Sequence, residues 1–142
     1  MIRTTIRGIR LASLLLGAYW LLLFTATHWP NVRLPNIDNA DKYVHFAGFA
    51  GLSFLMAWAI PTIGRMRWLN ALLALLTAVA YGAIDEISQA PVGRTTDIVD
   101  WAADCSGAVF GVLCYLLLRQ IIVMQSKSRP VPQPRTLEVP LV

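Results

Sequence analysis

Charge is scarce in this sequence. Asp, Glu, Lys and Arg make up only 14% of its 142 residues, against about 25% in an ordinary water-soluble domain. Hydrophobic residues reach 56%, and the mean hydropathy is +0.57. One domain of this length has no interior large enough to hide that much apolar surface from water, whereas a bilayer accepts it. Cysteine is almost absent too. Cys105 and Cys114 stand nine residues apart in one predicted helix, roughly 13 Å along its axis, which is too far for a disulfide. They read as small buried hydrophobes. The net charge of +4 does not mark a nucleic-acid partner, because the basic residues lie between apolar stretches and form no patch on a soluble face. No internal repeat is visible. No A-x-A site follows the first apolar stretch, so that stretch reads as an uncleaved span and not as a signal peptide.

What is present is a series of apolar segments of spanning length, which needs about 20 residues each. They run from Leu11 to about His28, from Tyr43 to Ile60, from about Trp68 to residue 90, and from about Ile98 to Val123. The expected fold is therefore all-α, a four-helix transmembrane bundle over residues 1–124. Residues 125–142 carry Pro130, Pro132, Pro134 and Pro140 among polar and basic residues, a composition that builds no core and predicts a disordered cytoplasmic tail. With the N-terminus inside, Arg3, Arg7, Arg10, Arg65, Arg67, Arg119, Lys127, Arg129 and Arg135 face the cytoplasm, and only Arg33, Lys42 and Arg94 face outward. This bias predicts that both termini are cytoplasmic.

The acids sort the other way. Asp38, Asp41, Asp85, Glu86, Asp97, Asp100 and Asp104 fall outside, and Glu138 alone inside. Acidic residues carry little weight in topology, so their gathering calls for a separate, functional explanation. Depth sharpens the point. Asp85 lies 17 residues beyond Trp68, about 25 Å along a helix and just inside the outer edge of a hydrocarbon core about 30 Å thick. Asp104 lies 14 residues before Leu118, about 21 Å, and so deeper still. Charges at such depth persist only when they face inward and find partners. Asp41 and His45 share a helix face, as do Asp85, Glu86 and Gln89, and as do Asp97, Asp100 and Asp104. Three helices thus present polar stripes at one level.

Plainer roles compete. Asp97 and Asp41 suit helix capping, with Asp100 in a first turn. Arg94 suits a pairing with Asp85 or Asp97, and His45 alone suits a hydrogen-bonded core histidine. His28 beside Trp29 reads as interface furniture, with the first span as scaffold. Capping explains neither Asp104, two turns inside its helix, nor Glu86 and Gln89 at a helix C-terminus. Gly107-x-x-x-Gly111, with Gly48 and Gly51, reads as a set of packing positions within the bundle.

The combination Asp41-Lys42-x-x-His45, Asp85-Glu86-x-x-Gln89, Gly93-Arg94-Thr95 and Asp97-x-x-Asp100 with a following Gly107 resembles the VanZ-like family over about residues 41–118. Many members carry Asn where Asp104 stands, and Pro-Gly directly before the Arg where this chain has Pro91 earlier. The resemblance implies a multi-pass protein of the bacterial cytoplasmic membrane, from a family whose founding member is associated with resistance to the glycopeptide teicoplanin. The family name supplies no mechanism, and the residues themselves suggest a polar pocket at the outer leaflet that binds or modifies an anionic cell-wall or lipid-linked molecule. In that reading His45, Asp85 and Glu86 are the acid–base candidates, and Asp41, Lys42, Gln89, Arg94, Asp97, Asp100 and Asp104 bind the ligand. No cofactor motif occurs. A divalent cation such as Mg²⁺ would reconcile so many acids with an anionic ligand. The expected partners are membrane lipids and a lipid-linked wall precursor, with no nucleic acid. No nucleophile stands out, so catalysis stays open beside two alternatives: a non-catalytic ion-pair network that locks the bundle, and a small proton-coupled transporter.

Overall fold

The computed structural model describes residues 5–6, 9–29, 39–60 and 67–127. Four α-helices dominate: α1 (Leu11–His28), α2 (Ala40–Ala59), α3 (Arg67–Gln89) and α4 (Ile98–Lys127). A two-residue antiparallel pair, Thr5–Ile6 with Ile9–Arg10, precedes α1. The α1 bounds agree with expectation. α2 begins three residues earlier than Tyr43, so Asp41 and Lys42 belong to its first turn, where Asp41 complements the helix dipole. α4 runs on to Lys127, which makes the first three residues of the expected tail, Gln125, Ser126 and Lys127, helical. The remainder of that tail lies outside the described residues, as do Arg33, Asp38 and Arg65.

Most of the packing is between small surfaces. Cβ atoms added at Gly107 and Gly111 of α4 would collide with the backbone carbonyls of Phe46 and Ala50 on α2. The G-x-x-x-G motif therefore acts inside the bundle, where it lets two backbones approach. Ser53 fastens the same seam by donating to the Ala108 carbonyl at 2.9 Å. On the other side of α2, Leu23 lies against Gly48 and Tyr19 against Gly51, and the Tyr19 hydroxyl donates to the Gly48 carbonyl at 3.0 Å. Phe49, Leu52, Met56, Ala74, Ala78 and Ala108 fill the centre.

The exterior is apolar. Leu21, Leu22, Leu113 and Leu117 are each more than half exposed, whereas Asp85, Asp104 and Gln89 are at most 1% exposed. A water-soluble helical protein sorts its residues the other way. α1, the run from Trp68 to Val92, and α4 are long and apolar enough to cross a membrane. α2 is not in that group among the described residues. Asp41, Lys42 and His45 in its first turns lower its apolarity, and the other three helices all pack against it.

α3 ends in one 3₁₀ turn, Ala90–Val92, followed by Gly93 in the left-handed region at φ 80°. The Gly93 N–H donates to the Ala90 carbonyl and the Arg94 N–H to the Gln89 carbonyl, the usual glycine stop of a helix. The chain then reverses into α4 within five residues (Gly93–Asp97), which puts the C-terminus of α3 beside the N-terminus of α4.

Candidate functional site

The heads of α2 and α4 and the tail of α3 meet, and the expected polar stripes face one another. Their outer layer is built around Lys42. Its ammonium lies 3.1 Å from Asp41, 3.2 Å from Asp100 and 3.5 Å from Asp97. Mutual hydrogen bonding holds the Asp41 carboxyl below and the Lys42 ammonium above their usual ranges. Asp97 also accepts the Val99 N–H at 2.8 Å, so it caps α4. Asn39, and not Asp41, occupies the N-cap of α2.

Beneath this layer lies His45, 3% exposed. Its Nδ1 is 2.9 Å from Asp104 Oδ1 and 3.7 Å from Glu86 Oε1. Glu86 is aimed by its neighbours: Oε2 accepts the Asp97 N–H at 3.0 Å, and Oε1 accepts from the Gln89 amide at 3.4 Å. Asp104 Oδ2 is buried without a hydrogen-bond partner among the described residues. It lies beside Gly82, one turn before Glu86 on α3, where an added Cβ would press on it at 3.2 Å.

Asp85 forms a second wing. One of its oxygens accepts the hydroxyls of Thr27 and Tyr81, each at 3.1 Å, and the other accepts the Gln89 amide at 3.1 Å. Gln89 therefore bridges the two wings. His28 stands 3.8 Å from Asp85 and 2.9 Å from the Ser88 hydroxyl. This corrects the expectation that α1 is scaffold and His28 interface furniture: the last turn of α1 supplies two members of the network. Thr27, His28, Tyr81 and Ser88 are the participants that the sequence reading missed. Tyr81 was within reach of it, because it lies one turn before Asp85.

Arg94 stands apart. It makes no ion pair among the described residues, neither with Asp85 nor with Asp97. Instead it borders a groove of about 400 Å³ between α1 and α2. Leu22, Leu23, Ala26 and Val44 line the groove, and its polar lining includes Asp41, His45 and Arg94.

Residues 4–119 match the model of the VanZ/LLP1 family. The chain belongs to the VanZ/LLP1 family. No curated protein and no solved structure matches it. The matched span runs from the segment before α1 to Arg119 on α4 and contains all ten expected site residues. This VanZ/LLP1 chain therefore carries its polar cluster within the part that matches the family, on α2 and on two helices long and apolar enough to cross a membrane.

Proposed function

We propose that this VanZ/LLP1 protein is a four-span protein of the bacterial cytoplasmic membrane that binds or modifies a lipid-linked molecule with an anionic headgroup, of the wall-precursor kind, at its outer leaflet. The groove carries this reading. Its apolar walls suit a prenyl or acyl chain, and Arg94, Asp41 and His45 form the polar lining where a headgroup would lie. A guanidinium such as that of Arg94, which pairs with no carboxylate among the described residues, is suited to bidentate contact with phosphate or carboxylate. Lys42 is committed to three carboxylates, so Arg94 is the anion-binding residue and Lys42 the brace behind it. His45 is the group placed to exchange a proton with the ligand. Arg10, Arg67, Arg119 and Lys127, at the end of the bundle opposite the acids, support this orientation. A part in glycopeptide susceptibility follows only by way of the wall precursor.

The test is binding of a polyprenyl phosphate to the full chain in detergent, with phosphatidylcholine as the uncharged-headgroup control. Arg94→Gln should weaken phosphate-dependent binding by about tenfold or more while membrane abundance stays unchanged. Equal binding of both lipids, or binding indifferent to Arg94, refutes the reading. A second reading, a purely structural lock, draws support from Asp85, whose oxygens are all supplied with donors. It predicts that site substitutions lower abundance and function in parallel.

A further inference from the structure

The His45–Glu86–Asp104 cluster has features that an ion-pair lock does not need. One donor atom from each residue lies within 4.8 Å of the other two, and the three residues come from three helices. Their exposures are 3%, 3% and 0%. We propose that they form a binding site for one divalent transition-metal ion, of the Mn²⁺, Fe²⁺ or Zn²⁺ class. The inference stands without the proposed groove ligand.

Geometry is the first ground. Two ligands on one ion with bonds of about 2.1 Å stand roughly 3.0 Å apart at right angles and roughly 3.4 Å apart at the tetrahedral angle. His45 Nδ1 is 2.9 Å from Asp104 Oδ1 and 3.7 Å from Glu86 Oε1. Both separations lie close to that range, and the Glu86 and Asp104 donors stand within 4.8 Å of each other.

The unpartnered oxygen is the second ground. Asp104 Oδ2 is buried and no donor among the described residues reaches it, although a buried carboxylate oxygen without a partner is costly. From α4 it meets α3 at Gly82, one turn before Glu86 and the only glycine of that helix. A cation shared with Glu86 and His45 would supply the missing positive charge. Charge balance agrees. Two ionised carboxylates with one protonated imidazole leave a buried excess of negative charge, whereas a divalent ion with neutral imidazole leaves none.

Orientation is the third ground. Glu86 is already fixed by the Asp97 N–H and the Gln89 amide, as the ligands of metal sites are fixed by neighbouring donors. A single imidazole with two carboxylates selects borderline ions over Mg²⁺, which prefers oxygen and water. Three protein ligands leave coordination positions open, and His45 also lines the groove.

The experiment uses the full chain in detergent, stripped with chelator and titrated with Mn²⁺ and Zn²⁺ by calorimetry. One ion per chain is expected. Binding should weaken by about tenfold or more in His45→Gln and in Glu86→Gln, and remain unchanged in Glu138→Gln. Should the variants fail to fold, pulsed electron paramagnetic resonance of Mn²⁺ on the unsubstituted protein decides, through a nitrogen coupling from His45. Absence of stoichiometric binding, binding indifferent to both substitutions, or no nitrogen coupling overturns the site. Polyprenyl phosphate binding through Arg94, found together with no stoichiometric ion binding, would end this inference and leave the groove reading standing.

Discussion

Asp85 and Asp104 are both fully buried carboxylates on neighbouring helices, yet their surroundings differ in kind. Asp85 is met by three neutral donors from α1 and α3, and both of its oxygens are served. Asp104 is met by one imidazole across the α2–α4 seam, and its second oxygen has no partner among the described residues. The first arrangement spreads one negative charge over hydroxyl and amide dipoles and requires no ligand. The second is incomplete as protein alone. Equal depth and equal residue type therefore do not imply equal roles: donor supply separates a structural carboxylate from one kept ready for a ligand.

The largest expected effect comes from the seam that holds Asp104. Gly107→Val drives a side chain into the Phe46 carbonyl, and a backbone collision has no flexible neighbour to yield. Overpacking of this kind costs about 3 kcal/mol. It should lower the melting temperature in detergent sharply and separate His45 from Asp104, whereas the Thr27–Asp85 link, which does not cross the seam, should persist. A Gly107→Val protein that melts like the parent would show that the helices do not approach this closely.

The comparison is tested directly by exchanging the two acids for neutral residues. Asp85→Ala strands the donors of Thr27, Tyr81 and Gln89, and with the modest value of hydrogen bonds inside membrane bundles it should cost about 2 kcal/mol. Asp104→Asn keeps an oxygen for His45 and replaces the unpartnered oxygen with an amide, so it should cost below about 1 kcal/mol while abolishing metal uptake. Thermal unfolding with metal content as the second readout checks both. Equal destabilisation by the two substitutions would remove the distinction.

Much of this arrangement was legible before any coordinates, and for a physical reason. Charges buried in apolar helices are costly, so Asp85 and Asp104 announced an inward-facing cluster by depth alone, and helical spacing placed His45 and Glu86 on the same level. The α1 contribution was not legible, because Thr27 carries no charge and an isolated hydroxyl in an apolar helix gives no depth signal, while His28 stands at the helix end where a polar residue is ordinary. The start of α2 was set at Tyr43 because the apolar run begins there, whereas the helix dipole accepts Asp41 in a first turn. Lys42 looked like an anion ligand because spacing along the chain cannot reveal that Asp97 and Asp100 close around it from α4.

The outer layer should give the smallest effect, and its pH dependence identifies it. Lys42 lowers the Asp41 pKa through the hydrogen bond between them. A carboxyl whose folded value is depressed adds stability above its unfolded value, near 4, and that stability is lost as the pH falls through the folded value. Lys42 is raised by the same contact and by Asp100, so its share is present below its unfolded value, near 10.4, and is lost as the pH rises through the folded one. The pair thus contributes a plateau between the two limits. Lys42→Met should lower the melting temperature slightly across that plateau, and the gap to the parent should close as the pH drops below about 4. Melts from pH 3 to pH 8 at low salt decide the matter. A gap that stays constant to the lowest pH would mean that Lys42 acts through packing of its stem and not through its three carboxylates.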